Sequence, residues 1–166
     1  MEEIKEKCVV SQVVDFIQKE GTNLDTETLQ EVATAIYRVS KKSGIDYRII
    51  LALAKVESNF RIDAVSPKGA RGLLQVKPSV AHKVAKDLGI KLHNRKSLHD
   101  SQKNVMIGTH ILSNLIEEYH DIHYALSAYN MGETRLSDYS SQNYRTKFSN
   151  AVLKEYKRYI EVLPDP

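Results

Sequence analysis

Glu57 lies three, four and seven residues after Ala54, Leu53 and Ile50, so on a helix it shares their apolar face. A carboxylate on a core-facing stripe is desolvated, which favours its neutral form and raises its pKa. The last turn of a helix adds the negative end of the dipole, which pushes the same way. The nearest cation in sequence, Lys55, lies two positions back and points elsewhere. A protonated glutamate of this kind is what general acid chemistry near neutral pH requires. The same pattern also suits a rim carboxylate paired with a distant Lys or Arg, and the helix alone does not separate the two. Farther on, Ser66-Pro67-Lys68-Gly69-Ala70-Arg71-Gly72-Leu73-Leu74-Gln75 carries two glycines that let backbone approach a ligand. Gln75 ends this run with an amide that both donates and accepts, suited to a sugar hydroxyl or acetamido group. Ala128-Tyr129-Asn130-Met131-Gly132 places an aromatic ring beside another amide. Taken singly, Tyr129 reads as core and Asn130 as a helix stop.

The elements that position these groups are helices. Ile4, Cys8, Val9, Val13, Phe16 and Ile17 form a first apolar stripe that ends near Gly21. A second helix starts at Asp25 to Thr28, where Thr28 and Glu31 have capping-box spacing, and ends before Gly44. Asp46 suits the N-cap of a third helix, Tyr47 to about Ser58, which carries Glu57. Residues 59–76 read as turns with a short strand at Leu73 to Val76. Pro78 opens a helix that closes at Gly89, and Ile90 to His99 reads as polar loop. A long helix follows Asp100, a short one covers His123 to Asn130, and a last one runs from about Asn143 to Val162. The expected fold is mainly α, one domain with an irregular segment after the Glu57 helix. Residues 1–24 form an N-terminal helical extension to a domain at 25–166.

Composition narrows the function. The 166 residues hold 42% hydrophobic and 27% charged side chains, an ordinary globular balance. The longest uncharged apolar run, Ile49 to Ala54, is too short to span a bilayer. One cysteine excludes an internal disulfide framework and a cysteine-clustered zinc site. Among six histidines, His120 and His123 are three apart and His93 and His99 share a loop, but no His-Glu-x-x-His pattern occurs, so no metal site is expected. The net charge of +3 is compatible with an acidic polymer and diagnostic of nothing. Lys41-Lys42 and Lys154 to Arg158 are small basic clusters on helices that carry Glu as well, so nucleic acid is not expected as a partner. Gly69 to Gly72 lacks the Gly-Lys-Ser/Thr end of a phosphate loop. Met1 to Lys5 leads into charged, amphipathic sequence without an apolar leader core, which fits either a cytoplasmic chain or one whose leader was removed.

In order, the motifs Glu57-Ser-x-Phe60, Ser66-x-x-Gly-Ala-x-Gly-Leu-Leu-Gln75 and Ala128-Tyr-Asn-x-Gly132 resemble the lytic transglycosylase family, the SLT domain of bacterial cell-wall enzymes. Lesser matches are the Pro78 helix start and the Asn104 to Leu112 run with Gly108, and the resemblance covers about residues 30 to 162. It implies a lysozyme-like, α-rich fold with Glu57 as the sole catalytic acid/base. Ser66, Gln75, Tyr129 and Asn130 would hold the substrate or the glutamate. The implied substrate is the glycan strand of peptidoglycan, and the implied product a 1,6-anhydromuramyl end formed without metal or organic cofactor. Two positions depart from the pattern: Lys77 stands where many relatives have an apolar Met, and Phe148, with Tyr144 one turn earlier, stands where many have a Tyr. Ordinary glycosidases need two carboxylates, and Asp63 is the only mild candidate for a second. A goose-type lysozyme with that second carboxylate, and a non-catalytic peptidoglycan-binding or assembly module, are the competing readings. A peptidoglycan substrate would place the working site in the periplasm or cell envelope, and the chain is expected to be a monomer without a membrane span.

Overall fold

Short acidic and hydroxyl side chains set where most of the helices begin. The computed structural model of the chain describes residues 1–137 and 144–166. Helices α1 (Glu2–Lys19), α2 (Thr26–Ser43), α3 (Tyr47–Ser58) and α4 (Pro78–Asp87) are followed by a 3-10 turn, Arg95–His99. Then come α5 (Ser101–Tyr119), α6 (Ile122–Met131), the short α7 (Glu133–Ser137) and α8 (Lys147–Val162). The carboxylates of Asp25, Asp46, Asp100 and Asp121 accept the backbone N–H of Thr28, Arg48, Lys103 and Tyr124 at 2.8–2.9 Å. Each such cap stabilises its helix by about 1 kcal/mol because it satisfies a donor with no partner inside the helix. At α2 Asp25 takes both the N–H and the hydroxyl of Thr28, so Thr28 is capped and is not itself the cap.

Helix α3 is the axis of the core. Ile50 to Ala54 are all fully buried, because α2 lies on one side of it and α8 on another. Its start is tied to the C-terminal tail. Arg48 makes a bidentate pair with Asp46, reaches Asp165 at 3.0 Å, and the Tyr47 hydroxyl donates to the Pro164 carbonyl at 2.6 Å. Its far end is tied to α1: the Glu20 carboxylate, just past α1, holds Lys55 at 2.9 Å and Arg158 of α8 at 2.9 Å. The Arg158 guanidinium lies over the ring of Phe16, which stands edge-on to Tyr159. Helix α1 itself buries Val9, Val10, Val13, Val14 and Ile17 against α2, so its apolar face belongs to the common core.

The differences from the sequence reading lie in the connections. Leu73 to Val76 do not form a strand: Arg71 makes isolated antiparallel bridges with Val65 and with Val76. The polar stretch before α5 closes into a 3-10 turn capped by Asn94 and Ser97 side chains. Helix α7 was not expected, because five residues carry too little periodicity to announce themselves. The last helix starts at Lys147 under a Thr146 cap, and the expected start at Asn143 lies outside the described residues.

Candidate active site

Glu57 sits in the final turn of α3, and the chain around it is held by backbone-directed hydrogen bonds. The Ser58 hydroxyl, buried, donates to the Leu73 carbonyl at 2.7 Å and lies 3.0 Å from the Ala54 carbonyl, joining the end of the helix to the loop that follows. Asn59 and Phe60 then take left-handed φ values of 50° and 61°. This conformation costs a bulky residue on the order of 1 kcal/mol or more, offset here by burial of the Phe60 ring, which is 1% exposed.

The loop from Ser66 to Val76 is braced the same way. The Ser66 hydroxyl accepts the Ala70 N–H at 3.0 Å, and Gln75 donates its amide protons to the carbonyls of Ala64 and Gly72 at 3.1 and 3.0 Å. Asn104, on α5 and wholly buried, completes the brace. Its carbonyl oxygen accepts the Leu74 N–H at 2.7 Å, and its NH2 donates to Arg71 and Leu98 carbonyls at 2.9 and 2.8 Å. One amide thereby satisfies three backbone groups that burial would otherwise leave unpaired. Gly72 lies against this cluster at φ 75°; a methyl group there would run into Asn104 and the Leu98 carbonyl.

Tyr129 of α6 reaches the same loop. Its hydroxyl donates to the Leu74 carbonyl at 2.7 Å, passing over Gly108 of α5. A Cβ at Gly108 would stand 2.8 Å from the Leu74 side chain and 2.9 Å from the Tyr129 oxygen, so the absence of a side chain there makes the hydrogen bond possible. Burial, with a smaller push from the negative charge of Glu57, holds the Tyr129 phenol well above its ordinary pKa.

These residues form the floor and one wall of a cleft of about 860 Å³. Glu57, Ser66, Gln75, Tyr129 and Asn130 all line it, so five positions spread over 74 residues of sequence converge on one cavity. Burial pushes the Glu57 carboxyl up to about 8, and no neighbouring charge contributes to the rise. Lys55, the nearest cation in sequence, is occupied by Glu20. A neutral carboxyl at the bottom of an open cleft at pH 7 can donate a proton to a bound leaving group.

The binding candidates divide by what their polar atoms already do. Ser66, Gln75 and Tyr129 are engaged with backbone, whereas Asn130 is exposed and its amide makes no hydrogen bond among the described residues. Asp63 is exposed and does not line the cleft. Tyr144 and Phe148 are not on its lining either; the Tyr144 hydroxyl lies 3.3 Å from Asp121. Sequence reasoning missed Lys83, Asp87 and His110, which also face the cleft, and it saw Asn104 only as part of a motif. Lys83 and Asp87 sit on a helix face that reads as solvated surface, and nothing in their spacing marks the cavity opposite.

A mainly helical domain with one desolvated glutamate at the end of its central helix, facing a cleft walled by a braced loop, has the build of a lysozyme-like domain. Residues 34–152 match the Transglycosylase SLT domain family, and the chain belongs to that family. It is similar to Membrane-bound lytic murein transglycosylase F of Actinobacillus succinogenes, 27% identical over 131 residues, 75% of this chain and 25% of that protein. It is 38% identical over 87 residues to Membrane-bound lytic murein transglycosylase C of Glaesserella parasuis, 51% of this chain and 24% of that protein. The chain therefore spans about a quarter of the length of these curated relatives. The 70 kDa soluble lytic transglycosylase of Escherichia coli superposes with a TM-score of 0.68 at 19% identity, covering 94% of this chain and 30% of that one. That likeness establishes the lysozyme-like fold. Among the described residues, no helix is long and apolar enough to cross a membrane.

Proposed function

We propose that this domain cleaves the β-1,4 bond between N-acetylmuramic acid and N-acetylglucosamine in peptidoglycan and leaves a 1,6-anhydromuramyl end. The observation that carries this reading is Glu57: a carboxyl held neutral by burial up to about pH 8, at the floor of the cleft, with no charged neighbour acting on it. Glu57 protonates the glycosidic oxygen as the bond to the muramyl C1 breaks. The 2-acetamido oxygen of the same sugar stabilises the positive centre that develops. The Glu57 carboxylate then takes the proton of the 6-hydroxyl, whose oxygen attacks C1 and closes the ring. Glu57 ends protonated, and no water is consumed. Ser66, Gln75 and Tyr129 act by holding the loop and the glutamate in register, and Asn130 offers its amide to the sugar. Residues 25–166 form the working domain, with residues 1–24 as an extension packed on it. The names of the relatives, which describe membrane-bound murein enzymes, support a place in the cell envelope.

Digestion of purified sacculi followed by mass spectrometry of the products tests the reaction. The expected product is one water lighter than a hydrolysed end and is absent with Glu57→Gln. New reducing ends would instead make the domain a goose-type hydrolase. Binding without any cleavage would make it a recognition module.

A further inference from the structure

The cleft carries charges that the proposed proton transfers do not use. Lys68 stands on the turn between Ser66 and Ala70, Lys77 immediately precedes α4, and Lys83 lies on the face of α4 that also presents Val80 and Val84 to the cavity. All three lysines are exposed, and none forms an ion pair among the described residues. Asp87, one turn beyond Lys83, makes no ion pair with it and leaves the wall with an excess of positive charge. The other acids on the lining belong to different elements. Glu118 is on α5, and Glu133 opens α7, where it accepts the Tyr119 hydroxyl at 3.0 Å. A row of like charges on the wall of a concave site raises the local concentration of an anion more than the same charges on a convex surface.

We infer that Lys68, Lys77 and Lys83 form an anion subsite that takes the carboxylates of the acidic peptide stem carried by the muramyl residue, an inference that rests on peptidoglycan being the substrate. The six residue steps from Lys77 to Lys83 separate them by about 9 Å along the helix at 1.5 Å per residue. An extended peptide advances about 3.3 Å per residue, so carboxylates two or three residues apart match the reach of two flexible lysine side chains. The subsite gives the glycan cleft a preference for strands that still carry their stems. It also orients the strand, because the stem leaves the sugar on one side only.

The test is equilibrium binding of the Glu57→Gln protein to soluble glycan chains with stems intact or removed by an amidase, which leaves the lactyl carboxylate free on the stripped chains. Stem-bearing chains are expected to bind about tenfold tighter at low salt, and the preference should fall to about twofold or less in K77E/K83E, the loss expected when two exposed charge contacts become repulsive. The unsubstituted lysine wall should lose the same preference as ionic strength rises, a measurement that needs no variant to fold. Equal binding of the two chains, or a preference untouched by both the substitutions and salt, overturns the subsite. An equal loss on both chains overturns it too, since the lysines would then read the glycan or its lactyl carboxylate. Turnover by the Glu57 protein is measured separately: its absence ends the catalytic reading, while the binding ratio still decides the subsite.

Discussion

The two sides of the cleft are built on opposite plans. On the side of residues 58–76, the side chains that brace the loop are committed to backbone, Ser58 to Leu73, Ser66 to Ala70, Gln75 to Ala64 and Gly72, Asn104 to three partners and Tyr129 to Leu74, while Lys68 on its outer turn is exposed. On the side of α4 and the end of α6, Lys77, Lys83 and Asn130 are exposed and make no such bonds. The difference matches what the proposed reaction asks of each side. An acid that donates to one oxygen has to be fixed within a fraction of an ångström, and buried hydrogen bonds supply that rigidity. A surface that reads a long polymer gains from side chains that remain free to bond to it.

Substitutions on each side should break this contrast in different observables, beginning with the acid that both sides serve. Glu57→Gln is expected to lower kcat by about 10⁴-fold, the upper range for losing a general acid/base, with substrate binding retained. Because the Glu57 pKa is raised from 4.5 to about 8, kcat/KM should be level below pH 8 and fall tenfold per unit above it. The same shift has a stability consequence. Both folded and unfolded chains are protonated at this site below pH 4.5; between 4.5 and 8 only the unfolded chain ionises freely, so the native state loses stability as pH rises through that window. Thermal melts should therefore show Glu57→Gln equal to the parent at pH 4 and more stable at pH 9, by about 2 kcal/mol once partial solvation through the cleft is discounted.

On the braced side, Asn104→Leu strands the Leu74 N–H and the Arg71 and Leu98 carbonyls, and urea denaturation should register a loss of about 3 kcal/mol. Activity should fall with it, since the loop that walls the acid is released. A milder probe is Tyr129→Phe, which removes one hydrogen bond to the Leu74 carbonyl and should cost about 1–2 kcal/mol of stability. On the open side, Asn130→Ala should leave the melting temperature unchanged and raise KM about threefold with little effect on kcat, the pattern of a lost ground-state contact. An Asn130 variant that instead melts early would show that the open side is braced after all, and the contrast would fail.

Much of the framework was legible before any coordinates. The Asp46 cap and the helix starts near Asp25 and after Asp100 sit where the apolar periodicity restarts, whereas the Asp121 cap was not singled out, and Glu57 stands out because it continues the Ile50, Leu53, Ala54 face of its helix. The convergence of Ser66, Gln75, Tyr129 and Asn130 on one cleft was expected from ordered motifs, although their spacing contains no distance. What each polar group does there was not legible: Gln75 is as well equipped to bind a sugar as to bind backbone, and only the positions of Ala64 and Gly72 decide that its NH2 is occupied. Gly108 illustrates the same limit, since a glycine inside a long helix looks like a local weakness until the Tyr129 hydroxyl is seen above it.

The sequence by itself determined the local physics: which segments coil, where they stop, and that one carboxylate would be carried on a buried face. Those follow from period and side-chain type over a few residues, within reach of a single helix turn. The tertiary structure alone decided how neutral that carboxylate is, because desolvation depends on α5, α6 and the 58–76 loop closing around it. It also decided that Lys68, Lys77 and Lys83 share a cavity with Glu57. Contacts between residues tens of positions apart are set by how helices pack, and no local pattern records which exposed face will look into the cleft.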